Sequence, residues 1–546
     1  MAECEAKFDP GKWKHEFGID PVTEDHVDCT REQISESNYC KYHSSSKTRK
    51  KAGISDSDVI INLLHEDDAV FEPKFQSVTI EDTAIDIDDD AGESPKLQIV
   101  HPIVQDKLEI KGCEFGDDFR IINGLLGDIE IRHPESVCDI EFRRSVVTGN
   151  LSIFADDTRA KFLLNQTDIY GHTEINSTFD NKFIIDDSRF KELVYIEDCT
   201  FKGGLDLSGS EFWDSIVINK SDIYNEARFH SIATDFLLYI SECNFESIDL
   251  DIKSCFENLI RIYYSEIEEG TLRQQDRGTT YFDLSYSTLG NVDVLMKDEG
   301  LETLHISDCD YTEFDFTQIR NQLKESNWYL HDFGIDWGLA NIKIRKALSN
   351  EISKVPYRTY IDQFHMRNYV ETYIKSKERA SRQGDSRSAS EFLINEMRAK
   401  RKKRSHNSLT SDFGWREQLN HSTAQAKNIF LDYSCGFGEK PWKAAAWAIG
   451  FPTFLGAFLF PSIGGVENPD TGQKFAFSLD GKFDLLLGTE ILLKNIYFSI
   501  LSFSTIGSNY YVPATLWSHI LMAVESLSGP FLVALFVFTL GKQVTR

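Results

Sequence analysis

Ile496-Tyr-Phe-Ser-Ile-Leu-Ser-Phe-Ser-Thr505-Ile-Gly507-Ser-Asn-Tyr510-Tyr-Val-Pro513 is an apolar segment that breaks at a Thr-x-Gly turn. An almost uncharged apolar run, Leu516 to Leu540, follows it, and another, Ala444 to Ile463, precedes it. At about 20 residues or more, each run is long enough to cross a bilayer. The order is span, re-entrant segment, span. Backbone at membrane depth leaves the helix only where it lines a protected or water-filled cavity. A short amphipathic helix ending in Ser-Thr-Ile-Gly between two spans therefore predicts a channel-type architecture over residues 440–546.

Each span carries basic residues at one end only. Lys440 and Lys443 precede the first, behind the run Arg398-Ala-Lys-Arg-Lys-Lys-Arg404, and Lys542 and Arg546 follow the second. The intervening loop, Gly464 to Thr489, holds Glu467, Asp470, Asp480 and Asp484 against Lys474 and Lys482. The positive-inside bias predicts a multi-pass protein of the cell membrane with both termini cytoplasmic and the loop outside. The opening Met1-Ala-Glu-Cys-Glu lacks the apolar core of a secretory signal. The chain stops six residues past Leu540, so cytosolic control is expected to enter through the first span.

The second span carries two further marks. Gly529-Pro530 lies mid-helix, where Pro removes a backbone hydrogen bond and permits a kink; it reads either as a gating hinge or as a packing kink. Glu525 is an ionisable group within the span, and such groups face protein or water. It braces the back of the re-entrant helix through Ser or Thr hydroxyls, or it sits near the cavity.

The 546 residues exceed what one core holds, so several units are expected. A net charge of −29 argues against nucleic acid as a partner, because phosphate binding needs a basic footprint. The sequence carries no phosphate loop, nucleophile elbow or zinc-hydrolase motif, so no enzyme is expected.

Residues 106–335 repeat themselves. A small residue, any residue, then a large apolar one recurs at Ser145-Val-Val147, Thr167-Asp-Ile169, Ser188-Arg-Phe190 and Ser210-Glu-Phe212. It continues at Ser221-Asp-Ile223, Cys243-Asn-Phe245, Ser265-Glu-Ile267, Ser287-Thr-Leu289 and Cys309-Asp-Tyr311. The large residues from Ile223 to Tyr311 are spaced by 22, and half-steps of 11 link Phe190, Phe201, Phe212 and Ile223. A fixed period of this size means stacked equivalent units. Residues two apart in a strand share a face, and the Ile, Phe, Thr and Tyr content favours strands, so the units read as 22-residue coils of a β-helix. Cys113, Cys199, Cys243 and Cys309 take the small position and read as core residues, with a reactive role as the alternative. Reduced thiols fit a cytosolic chain. Upstream, 46–105 is an irregular linker or the lead-in to the β-helix, with a solvated acidic run at Asp86-Ile87-Asp88-Asp89-Asp90.

Residues 357–404 predict a helical hairpin, from Tyr369 and Tyr373, then Ala389, Leu393 and Met397 at four-residue spacing. Gly384-Asp385 separates the helices and Ser388-x-x-Glu391 suggests a capping box. The hairpin is either a plain linker or a transmitter of force towards the first span. Residues 1–45 hold Cys4, Cys29, Cys40 and His43 in the pattern C-x24-C-x10-C-x2-H. Three thiolates and one imidazole close a tetrahedral structural zinc site, and a unit this small needs such a metal to fold; chance placement in a tail is the alternative.

Thr505-Ile506-Gly507 at the end of a short helix resembles the pore of two-span potassium-channel-like proteins, whose filter reads Thr-x-Gly-Tyr-Gly-Asp. The resemblance implies a homotetramer in which carbonyls of Thr505, Ile506, Gly507, Ser508 and Asn509 replace the hydration shell of a permeant monovalent cation such as K⁺. Ser508, Asn509 and Tyr510 stand where that filter has Tyr, Gly and Asp. Asn tolerates left-handed backbone, so the loop still forms, while strict potassium selectivity is left open. Gly436-Phe-Gly-Glu-Lys-Pro-Trp442, Gly384-Asp385, Glu391-Phe392 and Glu396-Met397 extend the resemblance to a haloarchaeal type that joins pentapeptide-repeat-like solenoids to this pore. The expectation is a multidomain chain: a cytosolic right-handed β-helix, a helical hairpin and a two-span α-helical membrane pore domain. It conducts cations, and an unknown protein or small molecule regulates it through the β-helix. The rival expectations are a non-conducting membrane-anchored scaffold presenting its acidic β-helix to a protein partner, and a nucleic-acid mimic for a DNA-binding protein.

Overall fold

The computed structural model describes residues 3–330 and 366–544, except 18–26, 35–36, 57, 60–61, 63–72, 82–83, 86–96, 112–113, 116–117, 133–138, 235–236, 254–256, 275–278, 296–303, 307, 411–414, 478–484 and 507–509. The chain divides into two compact units, Met1–Phe364 and His365–Arg546.

The first unit is a β-solenoid. One coil runs through the strands Phe183–Asp186, Arg189–Phe190, Val194–Glu197 and Thr200–Phe201. Each pairs in parallel with its counterpart one coil on: Leu205–Asp206, Glu211–Phe212, Ile216–Asn219 and the start of Asp222–Thr234. On one face Phe201 sits over Ile223, then Phe245, Ile267, Leu289 and Tyr311. On another, Leu126, Val147, Ile169, Phe190 and Phe212 stack in the same way. The 11-residue half-step is therefore an alternation between two faces of one coil. Equivalent rings stack nearly parallel, with centroids at 5.4 Å for Phe162–Phe183, 5.2 Å for Phe179–Phe201 and 4.9 Å for Phe190–Phe212. Such pairs contribute about 0.5–1.5 kcal/mol each beyond their burial.

The corners explain the small residues. Arg144, Gln166 and Asp187 on one corner, and Asp198, Lys220, Glu242, Tyr264, Tyr286 and Asp308 on the other, take left-handed backbone with φ between 47° and 63°. The small residue that follows turns inward, and its hydroxyl accepts the N–H of the equivalent residue one coil back. The bonds run from Thr167 N to Ser188 Oγ at 3.1 Å, Ser188 N to Ser210 Oγ at 3.2 Å and Cys199 N to Ser221 Oγ at 3.2 Å. Cys243 N to Ser265 Oγ at 3.1 Å and Ser265 N to Ser287 Oγ at 3.2 Å continue the series. A buried N–H without an acceptor costs about 1–3 kcal/mol, so this position requires a small hydrogen-bonding side chain. Cys199, Cys243 and Cys309 are buried in it; Cys113 lies outside the described residues.

The sheet begins upstream of residue 106, because Lys74–Glu81 and Leu97–Val100 already pair with Ile103–Lys111 and Phe119–Ile122. Beyond the last strand, Asp310–Tyr311, the helix Arg320–Glu325 closes the solenoid with Phe314, Phe316, Leu323 and Trp328 buried. The N-terminal Cys/His segment packs on the flank of the first coils, where Phe8 and Trp13 enclose His101 at ring distances of 4.5 and 4.7 Å.

Among its described residues the second unit is helical apart from three short strands. Its hairpin helices are Met366–Arg382 and Ser386–Thr410; residues 357–365 of the expected hairpin lie outside the described residues. Gly384 turns at φ 78°. Asp385 caps the second helix, accepting the Ser388 N–H at 3.2 Å. The cap thus stands three residues before the one expected at Ser388, because Gly384 lets the chain turn immediately ahead of Asp385. A further helix, Trp415–Cys435, connects the hairpin to the first span. Together the chain holds a β-solenoid, a helical hairpin and two apolar helices.

Candidate functional site

Among the described residues two helices are long and apolar enough to cross a membrane, Pro441–Ser462 and Leu516–Lys542. The first changes to π-helix at Leu455–Leu459, just after Pro452. Gly456 lies in that stretch, and a Cβ on it would stand 2.5 Å from Ile496 Cα. This lets the first span touch the backbone of the re-entrant helix, Leu485–Phe503.

That helix is tied on three sides. Asn495 Nδ2 donates to the carbonyls of Phe475 at 2.8 Å and Ile491 at 2.7 Å. Ser499 Oγ donates to the Pro452 carbonyl of the first span at 2.6 Å and also contacts Glu525 Oε1 of the second. Ser526 Oγ donates to Ser502 O at 3.2 Å. Asn495, Ser499 and Ser502 lie at i, i+4 and i+7, one face of a helix, and all are buried. That polar stripe is the signal in the sequence for these residues. Glu525 is fully buried, with Oε1 against the Ser499 hydroxyl.

Gly529 and Pro530 lie inside one unbroken helix, Leu516–Val544. A Cβ on Gly529 would stand 1.8 Å from the Phe503 carbonyl oxygen, so the glycine admits the end of the re-entrant helix. There Thr505 N–H donates to Ser502 O and Ile506 N–H to Leu501 O, both at 3.2 Å. Thr505 has φ 57°, which for a β-branched residue stores about 1–3 kcal/mol of strain. Ile506 is exposed. Gly507, Ser508 and Asn509, the rest of the expected filter, lie outside the described residues. Beyond them Val512–Pro513 pairs with Val466–Glu467, which pairs with Lys474–Phe475. Thr515 Oγ1 donates to Ile463 O at 2.7 Å. The chain is therefore anchored on both sides of residues 507–509.

A family model described as ion channel matches residues 486–546. This segment is similar to an ion channel domain. The match spans the re-entrant helix, the turn and the second span, the parts whose contacts are given above. No curated protein and no solved structure matches the chain.

Cys4, Cys29, Cys40 and His43 come together in the N-terminal segment, with their ligand atoms within 4.8 Å of one another. The short antiparallel pair Lys7–Phe8 with Val27–Asp28 brings the distant Cys4 and Cys29 side by side. Cys29 Sγ lies 3.8 Å from Cys40 Sγ, and His43 Nδ1 lies 3.5 Å from Cys4 Sγ and 3.2 Å from Cys40 Sγ. Tetrahedral zinc with bonds of about 2.0–2.3 Å sets its ligands about 3.5–3.8 Å apart, so the donor set fits a zinc-sized ion. Burial first, then the neighbouring Cys29 and Cys4 sulfurs, push the Cys40 thiol up to about 12; a divalent cation removes that penalty. The Cys40 N–H donates to Cys4 Sγ at 3.2 Å. Arg49, fully buried, ties the same segment through Lys41 O at 3.1 Å and Asp56 at 2.8 Å.

Proposed function

We propose that the protein is a cation channel in which four copies of the 440–546 segment surround a pore, with Thr505 to Asn509 as the filter. The observation that carries this reading is the wedging of the Leu485–Phe503 helix between both spans, with its C-terminal end aimed into an anchored turn. A helix C-terminus carries about half a negative charge, which favours a cation there. Potassium is the reference ion, and Asn509 in place of the second filter glycine weakens selectivity. The basic ends of the spans support a cytoplasmic side for the solenoid, the hairpin and both termini. The solenoid is the regulatory part, the Cys/His segment holds a structural zinc ion, and the chain performs no enzymatic reaction.

Planar-bilayer recording of the full-length protein in potassium and sodium gradients, beside Asn509→Gly, tests this. Weakly selective cation currents that sharpen in the variant are the expected result. Silence of both proteins would instead favour the non-conducting scaffold, which the altered filter residues Ser508 and Asn509 keep as the second reading.

A further inference from the structure

Ahead of the first span, Gly436, Phe437 and Gly438 all take positive φ, at 55°, 55° and 88°. This tight turn carries the next residue, Glu439, into the protein, where it is only 5 % exposed as a side chain. Its two carboxylate oxygens point to different elements. Oε2 accepts the Ser390 hydroxyl of the hairpin at 2.6 Å. Oε1 pairs with Lys542 Nζ, in the last turns of the second span. Adjacent contacts fix the frame around it. Lys440 Nζ meets Glu391 Oε1 of the hairpin at 2.9 Å. Arg398 and Arg401 meet Asp432 of the connecting helix at 2.9 and 3.2 Å. Lys443 Nζ donates to Asp432 O at 3.1 Å.

We propose that Glu439 is a positioning residue for gating, the joint through which the hairpin acts directly on the far end of the second span. The proposal rests on the channel reading given above. The first span is the route expected from chain order, yet the carboxylate of Glu439 bypasses it. One side chain receives the hairpin on one oxygen and the end of the second span on the other, so a shift of the hairpin at Ser390 is passed through the carboxylate to Lys542. A charge-assisted bond in a buried setting is strong enough to bias two positions of a helix end.

Two measurements on the full-length protein test this. The first is single-channel recording of Ser390→Ala, Glu439→Gln, Lys542→Gln and the Glu439→Gln/Lys542→Gln pair. Each single change is expected to shift open probability about five- to thirtyfold in one direction. The pair should do no more than either alone, because both break one contact. Unitary conductance and reversal potential should stay at their original values, which a general packing defect would not leave intact. Additive effects, or unchanged open probability, overturn the joint.

The second measurement is hydrogen exchange over residues 536–544, which needs no current. Ser390→Ala and Glu439→Gln should both speed exchange there, and Ser390→Ala should add nothing in the Glu439→Gln background. Unaltered exchange in Ser390→Ala overturns the joint. If every protein is silent in bilayers, the channel reading falls, and the exchange result alone decides whether hairpin and helix end are coupled.

Discussion

Gly529 and Phe503 meet backbone to backbone: a methyl group on the Gly529 α-carbon would stand 1.8 Å from the Phe503 carbonyl oxygen. The second span and the end of the re-entrant helix approach this closely because residue 529 has no side chain. Gly529→Ala is expected to separate them, at about 1–3 kcal/mol, with lower thermal stability and impaired conduction. Gly541→Ala, where a Cβ meets nothing within 4 Å, serves as the control and should be neutral or slightly stabilising by helix propensity. Equal melting temperatures for the two variants would contradict the contact.

His101 predicts how the N-terminal segment responds to acid. Burial lowers it to about 4, against roughly 6.5 in the unfolded chain. Between those values the unfolded chain binds a proton that the folded one refuses, so stability is full above pH ~6.5 and falls towards pH ~4. The limit is ~3 kcal/mol. Hydrogen exchange over residues 8–17 should accelerate on acidification through that window, and His101→Gln should flatten the response.

Removal of zinc is expected to loosen the same segment. The protein as purified should carry about one zinc per chain, and Cys40→Ser should lose it. Chelation should speed exchange around Trp13, which is buried beside His101. Metal analysis finding no zinc, with exchange unmoved by chelator, would refute the site.

The corner ladder of the solenoid separates two substitutions of similar size. Ser188→Val leaves the Thr167 N–H without its acceptor and should cost about 1–3 kcal/mol in chemical denaturation. Cys243→Ser keeps a small hydrogen-bonding group facing the Ile218 and Ser241 carbonyls and should cost less than half as much.

Asp432 joins the connecting helix to the hairpin. Burial alone would raise its carboxyl, but the Arg398 hydrogen bond and the charges of Arg398, Arg401 and Lys443 bring it below the ordinary carboxylate range. Its contribution is therefore complete above pH ~3.9 and lost as pH falls through the lower folded value. Asp432→Asn should cost ~1–2 kcal/mol at neutral pH, read as earlier thermal release of the hairpin helices.

The solenoid was legible because its period is written in the core itself: every inward position from Ile223 to Tyr311 recurs at 22. The corners were not, since Arg144, Lys220 and Tyr286 share a left-handed backbone but no side-chain chemistry. The two spans were plain from hydropathy. The connecting helix Trp415–Cys435 escaped notice because its first two-thirds is polar and only Ile429-Phe430-Leu431 is continuously apolar. At the pore, Thr505 and Glu525 stood out by type and Asn495 belongs to a polar helical stripe, whereas Gly456 acts through a tertiary approach that no local pattern announces. The metal ligands were legible one by one, but the Lys7–Phe8 pairing that gathers them was too short to foresee.

The stacked corners also constrain how such a chain changes over generations. Neighbouring coils stand about 4.8 Å apart, the spacing of paired strands. Loss of one whole coil shortens the rod by that height and leaves each inward residue facing its proper neighbour. Loss of a single residue within a strand exchanges the inner and outer faces of that strand. Length can therefore be edited only in whole storeys, while the outward corner side chains are rewritten one at a time beside an unmoved interior.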